Sequence, residues 1–339
     1  MIELVSDLSS NSSTLLIPPS IAGRELSIAW TKYLTEDVGR GAASIDTVRT
    51  YTAQITIFLR WCHTRALAPL LASRSDIKAY RRALHEQSFK TSTIALKLST
   101  VRRLYDAAIE AGLIAINPAL GIKPPYSRRD PAEGITFLEK IEVEQLLECV
   151  EISPAKGKIA IDNLVKCARD LFMVEMMVSE GPRTVELHRA NLEDIIGQGK
   201  KVGIKVQGKR QIRIVPLTDN LINLLSNYLA ARKQVGEELT PKSPLLVSVG
   251  NRSRGSRLSR SQIRTLVNNY LSECGLKKKD NKTISTHSLR HTAGTLALRG
   301  GAELRQVQDL LGHADPRTTS LYVHVGDRWD NNPAKFWLD

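Results

Sequence analysis

His287, Arg290, His313 and Tyr322 all fall in the run His287–His324, and a further cation, Arg183, stands far upstream. Arginine, histidine and tyrosine in this combination make a poor core but a good site for breaking a phosphodiester bond. Guanidinium forks match phosphate oxygens bidentately. Imidazole moves protons near neutral pH, and a tyrosine hydroxyl can form a covalent intermediate. Phenol titrates at about 10, so such a tyrosine needs neighbouring cations to ease its deprotonation, and Arg183 and Arg290 would supply them.

Each residue also has a plainer reading. Arg183 sits among Met176, Met177, Val178 and Leu187, where it could simply bridge Glu186 at helical spacing. His313 follows Gly312 and could cap the carbonyls of a helix end, and Tyr322 could be half-buried packing. His287 and His291, four apart, could share a zinc ion. The metalloprotease pattern, however, needs Glu after the first His, where Ser288 stands. No third ligand of matching pattern follows, so no metal is expected.

Four boxes in order decide between these readings. Gly181-Pro182-Arg183-Thr184-Val185-Glu186-Leu187 comes first, then Gly208-Lys209-Arg210-Gln211-Ile212-Arg213-Ile214-Val215-Pro216-Leu217. His287-Ser288-Leu289-Arg290 and Leu311-Gly312-His313 follow, with Tyr322 nine positions after His313 (322 minus 313). Together they resemble the tyrosine recombinases, the family of phage integrases and Xer-type recombinases. Pro182 departs from the leucine-like residue of the family's T-G-L-R-x-x-E-L box and could shift the backbone before Arg183. The hairpin box is one residue shorter than the commonest form, so Lys205 stands beside Lys209 as a candidate for its lysine. The resemblance implies a catalytic set of Arg183, Lys209, His287, Arg290, His313 and the nucleophile Tyr322. It makes Glu186 a support behind Arg183 and Lys209 the proton donor to the leaving 5′ oxygen, with His291 packing nearby.

The elements that must position these residues are legible from apolar spacing. From Arg24, the residues Leu26, Ala29, Trp30 and Tyr33 mark a helix. A second begins at Thr47 on the stripe Val48, Tyr51, Ile55, Phe58, Leu59 and Cys62. A third spans 75–86, and a fourth spans 91–111, ending at Gly112. These make a helical domain over 21–125 behind a loose arm at 1–20. Its end, Asn117-Pro118-Ala119-Leu120-Gly121-Ile122-Lys123-Pro124-Pro125, is similar to the stretch closing the family's core-binding domain. A linker follows at 126–135, then a catalytic domain at 136–325 and a tail at 326–339. In the catalytic domain helices are expected at 140–151, 159–180 and 184–190, then a hairpin on Lys201–Gln207 and Ile212–Val215. Further helices are expected at 218–234, 259–275, 287–299, 303–311 and 316–323. The tail carries Trp329, Phe336, Trp337 and Leu338, and family members commonly insert this segment into a neighbouring protomer.

Charge points the same way. The 339-residue chain carries a formal net charge of +13, which suits a polyanionic partner. Residues 74–129 hold eleven Lys/Arg against Asp76, Glu86, Asp106 and Glu110. Alone, such a run reads equally as a solvated face. Beside a phosphodiester site it reads as DNA-binding, with Arg81, Arg82, Lys90, Lys97, Arg102 and Arg103 as contacts. Cys62, Cys149, Cys167 and Cys274 are far apart without a C-x-x-C, which fits a reducing cytoplasm rather than a disulfide framework or zinc ribbon. The N-terminus lacks the basic start of a signal peptide, and no apolar run approaches the roughly 20 residues of a membrane span.

The expectation is a mainly α protein with a small β-sheet, shaped as a two-domain DNA clamp. It would be a cytoplasmic site-specific recombinase needing no cofactor, acting on double-stranded DNA as a homotetramer on two recombination sites. A type IB topoisomerase and a non-catalytic DNA-binding relative are the alternatives.

Overall fold

The computed structural model describes residues 21–126, 135–152, 161–208, 212–250, 253–313, 315 and 319. The expected arm and tail, Lys209 and Tyr322 lie outside the described residues, as do 127–134 of the linker and all of the expected helix at 316–323 except Thr319. The chain divides into two compact units, Met1–Arg128 and Arg129–Asp339.

The first unit is built from α1 (Ile21–Glu36), α2 (Ile45–His63), α3 (Arg74–Glu86) and α4 (Thr91–Glu110). The α2 start is fixed by Ser44, whose hydroxyl accepts from the Thr47 amide. Ser73 and Asp76 form a reciprocal capping box on α3. α4 is the central helix and packs against the other three. Its apolar stripe is the expected one: Ile94, Leu98, Val101, Leu104, Tyr105 and Ala108 are buried. It stops where Gly112 turns left-handed at φ 70°. Asn117 then ties the chain back, donating to Arg102 O (2.9 Å) and Asp106 Oδ1 (2.6 Å).

In the second unit α5 (Lys140–Ile152) and α6 (Ile161–Ser179) precede the short α7 (Thr184–Arg189). α6 is the hub, packing on α5, on α8 (Asp219–Gln234) and on α10 (Thr286–Arg299). Buried Phe172, Met173, Met176 and Met177 fill that centre. The hub also holds a polar knot. Asp170, wholly buried, accepts from Arg169 Nε (2.8 Å) and from the Tyr270 hydroxyl (2.8 Å) of α9 (Arg260–Glu273). Arg169 donates onward to Val247 O at 2.8 Å. A buried carboxylate is tolerable only when bonded this fully.

The expected hairpin is part of a three-stranded meander, β1 (Ile195–Gln198), β2 (Lys201–Gln207) and β3 (Ile212–Pro216). Its register pairs Ile195 with Ile204, Lys205 with Ile214 and Val206 with Arg213. Ile204, Val206 and Val215 face the core, while Lys205, Ile212 and Ile214 are exposed. A two-stranded ribbon, β4 (Lys278–Lys279) and β5 (Lys282–Thr283), turns through Asp280 and Asn281, both at positive φ. α11 (Leu304–Leu311) ends at Gly312, left-handed at φ 61°. No helix among the described residues is long and apolar enough to cross a membrane.

Candidate active site

The site is assembled around the C-terminal end of α11. A helix leaves its last carbonyls without intrahelical partners and carries partial negative charge there. Three consecutive carbonyls at this end each accept from a different arginine. Leu310 O takes Arg213 Nη1, Leu311 O takes Arg290 Nη2, and Gly312 O takes Arg183 Nη2 at 3.2 Å. The arginines arrive from β3, from α10 and from the residue just before α7. One helix terminus therefore gathers side chains distant in sequence.

Glu186 joins two of the three. Its Oε1 accepts from Arg183 Nη1 at 2.8 Å, and its Oε2 accepts from the Arg183 amide at 2.7 Å and from Arg213 Nη2 at 3.0 Å. The plain reading of Arg183, a bridge to Glu186, is thus real. It does not exhaust the side chain, which is 36% exposed and lines a groove, whereas Glu186 is 1% exposed. Pro182 leaves this geometry intact. The turn before it is made by Gly181 at φ 60°, where an added Cβ would lie 2.8 Å from Leu311 Cδ2 and 3.0 Å from Ala293 Cβ. The Gly181 carbonyl accepts from Arg290 Nη1 at 2.5 Å, so Arg290 is held at both prongs.

The histidines surround these cations. His287 stands exposed on the groove wall at the start of α10. Its ring meets that of His291 edge to face, with centroids 4.5 Å apart. His313 is buried, and its Nδ1 lies 2.8 Å from Thr319 Oγ1. Burial pushes the His313 imidazole down to about 3, helped by Arg290 and Arg183, and His291 is pushed down to about 4 by burial, then by His287 and Arg290. His287 is lowered by the same causes, burial first and then Arg290 and Arg183. His313 and His291 are therefore neutral at pH 7, each with one N–H donor and one acceptor.

The groove, about 480 Å³, brings Arg183, His287 and Arg290 together with Arg260, Arg264 and Asn268 of α9. The last three were not anticipated, although their spacing of four (260, 264, 268) puts them on one helix face. Arg213 was missed too, and only its place in the hairpin box pointed to it. Of the anticipated set, Arg183, Glu186, His287, Arg290 and His313 are brought together. Lys209 and Tyr322 lie outside the described residues. Lys205 is exposed on β2, on the strand face opposite the core.

In the first unit the six anticipated cations divide. Arg82 and Lys90 are exposed. Arg81 donates to Lys123 O (3.1 Å), Arg102 to Ile122 O (3.2 Å), and Arg103 lies 5.2 Å from the Tyr51 ring centroid. Lys97 does not belong to an open DNA-facing surface. It is 3% exposed, its Nζ donates to Gln54 Oε1 at 2.8 Å, and desolvation lowers its pKa.

Residues 136–328 match the phage integrase family, and residues 28–112 match the phage integrase N-terminal SAM-like domain. The chain is 33% identical over 237 residues to a tyrosine recombinase XerC of Thermodesulfovibrio yellowstonii, covering 69% of this chain and 71% of that protein. Its fold is similar to that of XerH site-specific recombinase bound to a palindromic difH substrate, with TM-score 0.68 and 19% identity over 99% of this chain and 94% of the other. It is also similar to a lambda integrase solved as a tetramer bound to a Holliday junction. There the TM-score is 0.62, with 17% identity over 87% of this chain and 76% of the other.

Proposed function

The chain belongs to the phage integrase family and is a site-specific tyrosine recombinase, and from that premise we propose how its residues divide the work. Tyr322 attacks a backbone phosphate of duplex DNA, passing its proton to His287, and forms a 3′-phosphotyrosyl bond. The 5′ oxygen leaves with a proton from Lys209. Arg183, Arg290 and His313 stabilise the charge of the pentavalent transition state, and His287 assists proton transfer. Attack by the 5′ hydroxyl of another strand reverses the step. One ester replaces another, so no ATP is required to drive the exchange.

The observation that carries this reading is the pair of guanidiniums on one groove with His287, both fixed before any DNA arrives. Preorganised donors reorganise little when charge develops, which is where such donors are most effective. Duplex DNA as partner and a homotetramer on two sites rest on the relatives solved on DNA. The unit at 21–125 supplies a basic surface for the duplex, 126–135 connects it to the catalytic unit at 136–325, and the tail at 326–339 docks on a neighbouring protomer. The cytoplasm is the proposed setting.

Covalent trapping tests the assignment. Fragmented genomic DNA of the organism carrying the gene is incubated with the protein, protein-linked fragments are recovered, and the attachment site is sequenced. The expected result is one recurrent site joined through Tyr322, and no adduct with Tyr322→Phe at nearly unchanged DNA affinity. An adduct formed by the Phe variant would sink the nucleophile. Relaxation of supercoiled plasmid lacking paired sites would favour the topoisomerase alternative.

A further inference from the structure

Arg213 has no role in the chemistry set out above, yet it touches both Glu186, which holds Arg183, and the end of α11. Its Nη2 donates to Glu186 Oε2 at 3.0 Å, on the carboxylate whose other oxygen holds Arg183. Its Nη1 donates to Leu310 O, beside the carbonyls that take Arg290 and Arg183. Its stem lies against Gly312, where an added Cβ would come within 2.6 Å of Arg213 Cδ and 2.7 Å of Nε. Unlike Arg183 and Arg290, Arg213 does not line the groove, and its side chain is 11% exposed.

We propose that Arg213 is a positioning residue for cleavage, which fixes Arg183 and His313 against the scissile phosphate through Glu186 and the α11 terminus. This rests on the assignment of Arg183 and His313 to that phosphate. Without Arg213, Glu186 Oε2 keeps only the Arg183 amide, and the carboxylate is free to rotate away from the Arg183 fork. The Gly312–His313 backbone also loses the stem it packs on. Gly312 is then required for two reasons, its left-handed φ and the arginine filling the space a Cβ would need. β3 reaches the site through this one side chain, since its neighbours Ile212 and Ile214 face outward.

The test uses the trapped site as a nicked suicide duplex in two forms. One carries the ordinary scissile diester, and the other a methylphosphonate, whose non-bridging methyl removes the phosphate charge. Arg213→Gln should bind both like wild type but form adduct on the diester roughly a hundredfold more slowly, the size of effect an ångström of misplacement produces. On the methylphosphonate, which needs less cationic stabilisation, the deficit should largely close. Arg213→Lys, which keeps the charge, should recover part of the diester rate, and it carries the same comparison if the Gln variant does not fold. A wild-type rate on the diester overturns the proposal, and so does an equal deficit on both substrates, the mark of a merely structural role. Arg183→Gln runs alongside. If that variant shows no deficit, the assignment of Arg183 to the phosphate has failed, and with it the premise rather than the linkage from Arg213.

Discussion

The exposed cations of the helical unit and the buried arginines of the catalytic unit are held in opposite ways. In the helical unit Arg82 and Lys90 stand exposed, unlike Arg81 and Arg102, whose guanidiniums donate to main-chain carbonyls. In the catalytic unit Arg213 and Arg290 are 11% and 2% exposed, and each is pinned by main-chain carbonyls. The first arrangement suits affinity, because phosphate neutralisation depends on how many cations approach the backbone and not on their exact aim. The second suits chemistry, because a transition state rewards only donors already in place. Cations of the same charge therefore differ in what their loss should do.

The sharpest break of this contrast is Arg290→Ala. Cleavage should fall on the order of a thousandfold, the loss typical of a preorganised donor. Folding should weaken too, since Gly181 O and Leu311 O would lose their partner at a cost of about 1–3 kcal/mol per buried group. Adduct formation and urea unfolding measure the two effects. Full cleavage in a stable Arg290→Ala protein would end the argument from position.

An intermediate effect concerns His313. Its folded pKa is lowered to about 3, so above about 6.5 the ring is neutral in both states and stability is unaffected. As pH falls from about 6.5 towards 3, the unfolded chain takes a proton that the folded one refuses. Stability should then drop by up to about 1.4 kcal/mol per pH unit for one such group. His313→Asn should flatten this acid limb by about one proton's slope in urea titrations at pH 7, 6 and 5. An unchanged slope would mean that the ring is protonated in the folded protein.

The smallest effect is expected at the exposed cations. Arg82→Gln and Lys90→Gln should each weaken DNA binding modestly, whatever the DNA sequence, and reduce the salt slope of log K by about 1. Neither should change the unfolding midpoint. A large loss confined to one DNA sequence would show that these residues read bases, and would erase the contrast between the units.

What the sequence made legible follows the same division. Helices with one apolar stripe were read to within a few residues, as α4 shows, because burial repeats at helical spacing. β1 was missed because Gly197 and Gly199 break the alternation, although Gly199-Lys200 between two apolar runs is a hairpin signal. The β4–β5 ribbon has only two residues per strand, too short for any period, and Asp280-Asn281 was its only sign. Lys97 was misplaced because a letter gives charge but not burial, and the neighbour that tames it, Gln54, comes from another helix. Arg213 was overlooked for a different reason. Leu310 accepts from it through a main-chain carbonyl, and every residue has one, so no residue type marks the contact.

That last feature bears on how the site can change over generations. A contact made to a side chain is lost when that residue is replaced, but Leu310 and Leu311 present oxygens that any substitution would retain. These two acceptors are thus insulated from a change of residue type, whereas Gly312, the third, is held to glycine by its φ and by Arg213. The other weakness of this terminus lies in whatever moves the helix end as a body. A proline within 307–311 would remove a helical hydrogen bond and kink the axis, shifting three acceptors together. Drift at Leu310 should therefore be tolerated, whereas replacing Gly312 or bending the backbone should be punished.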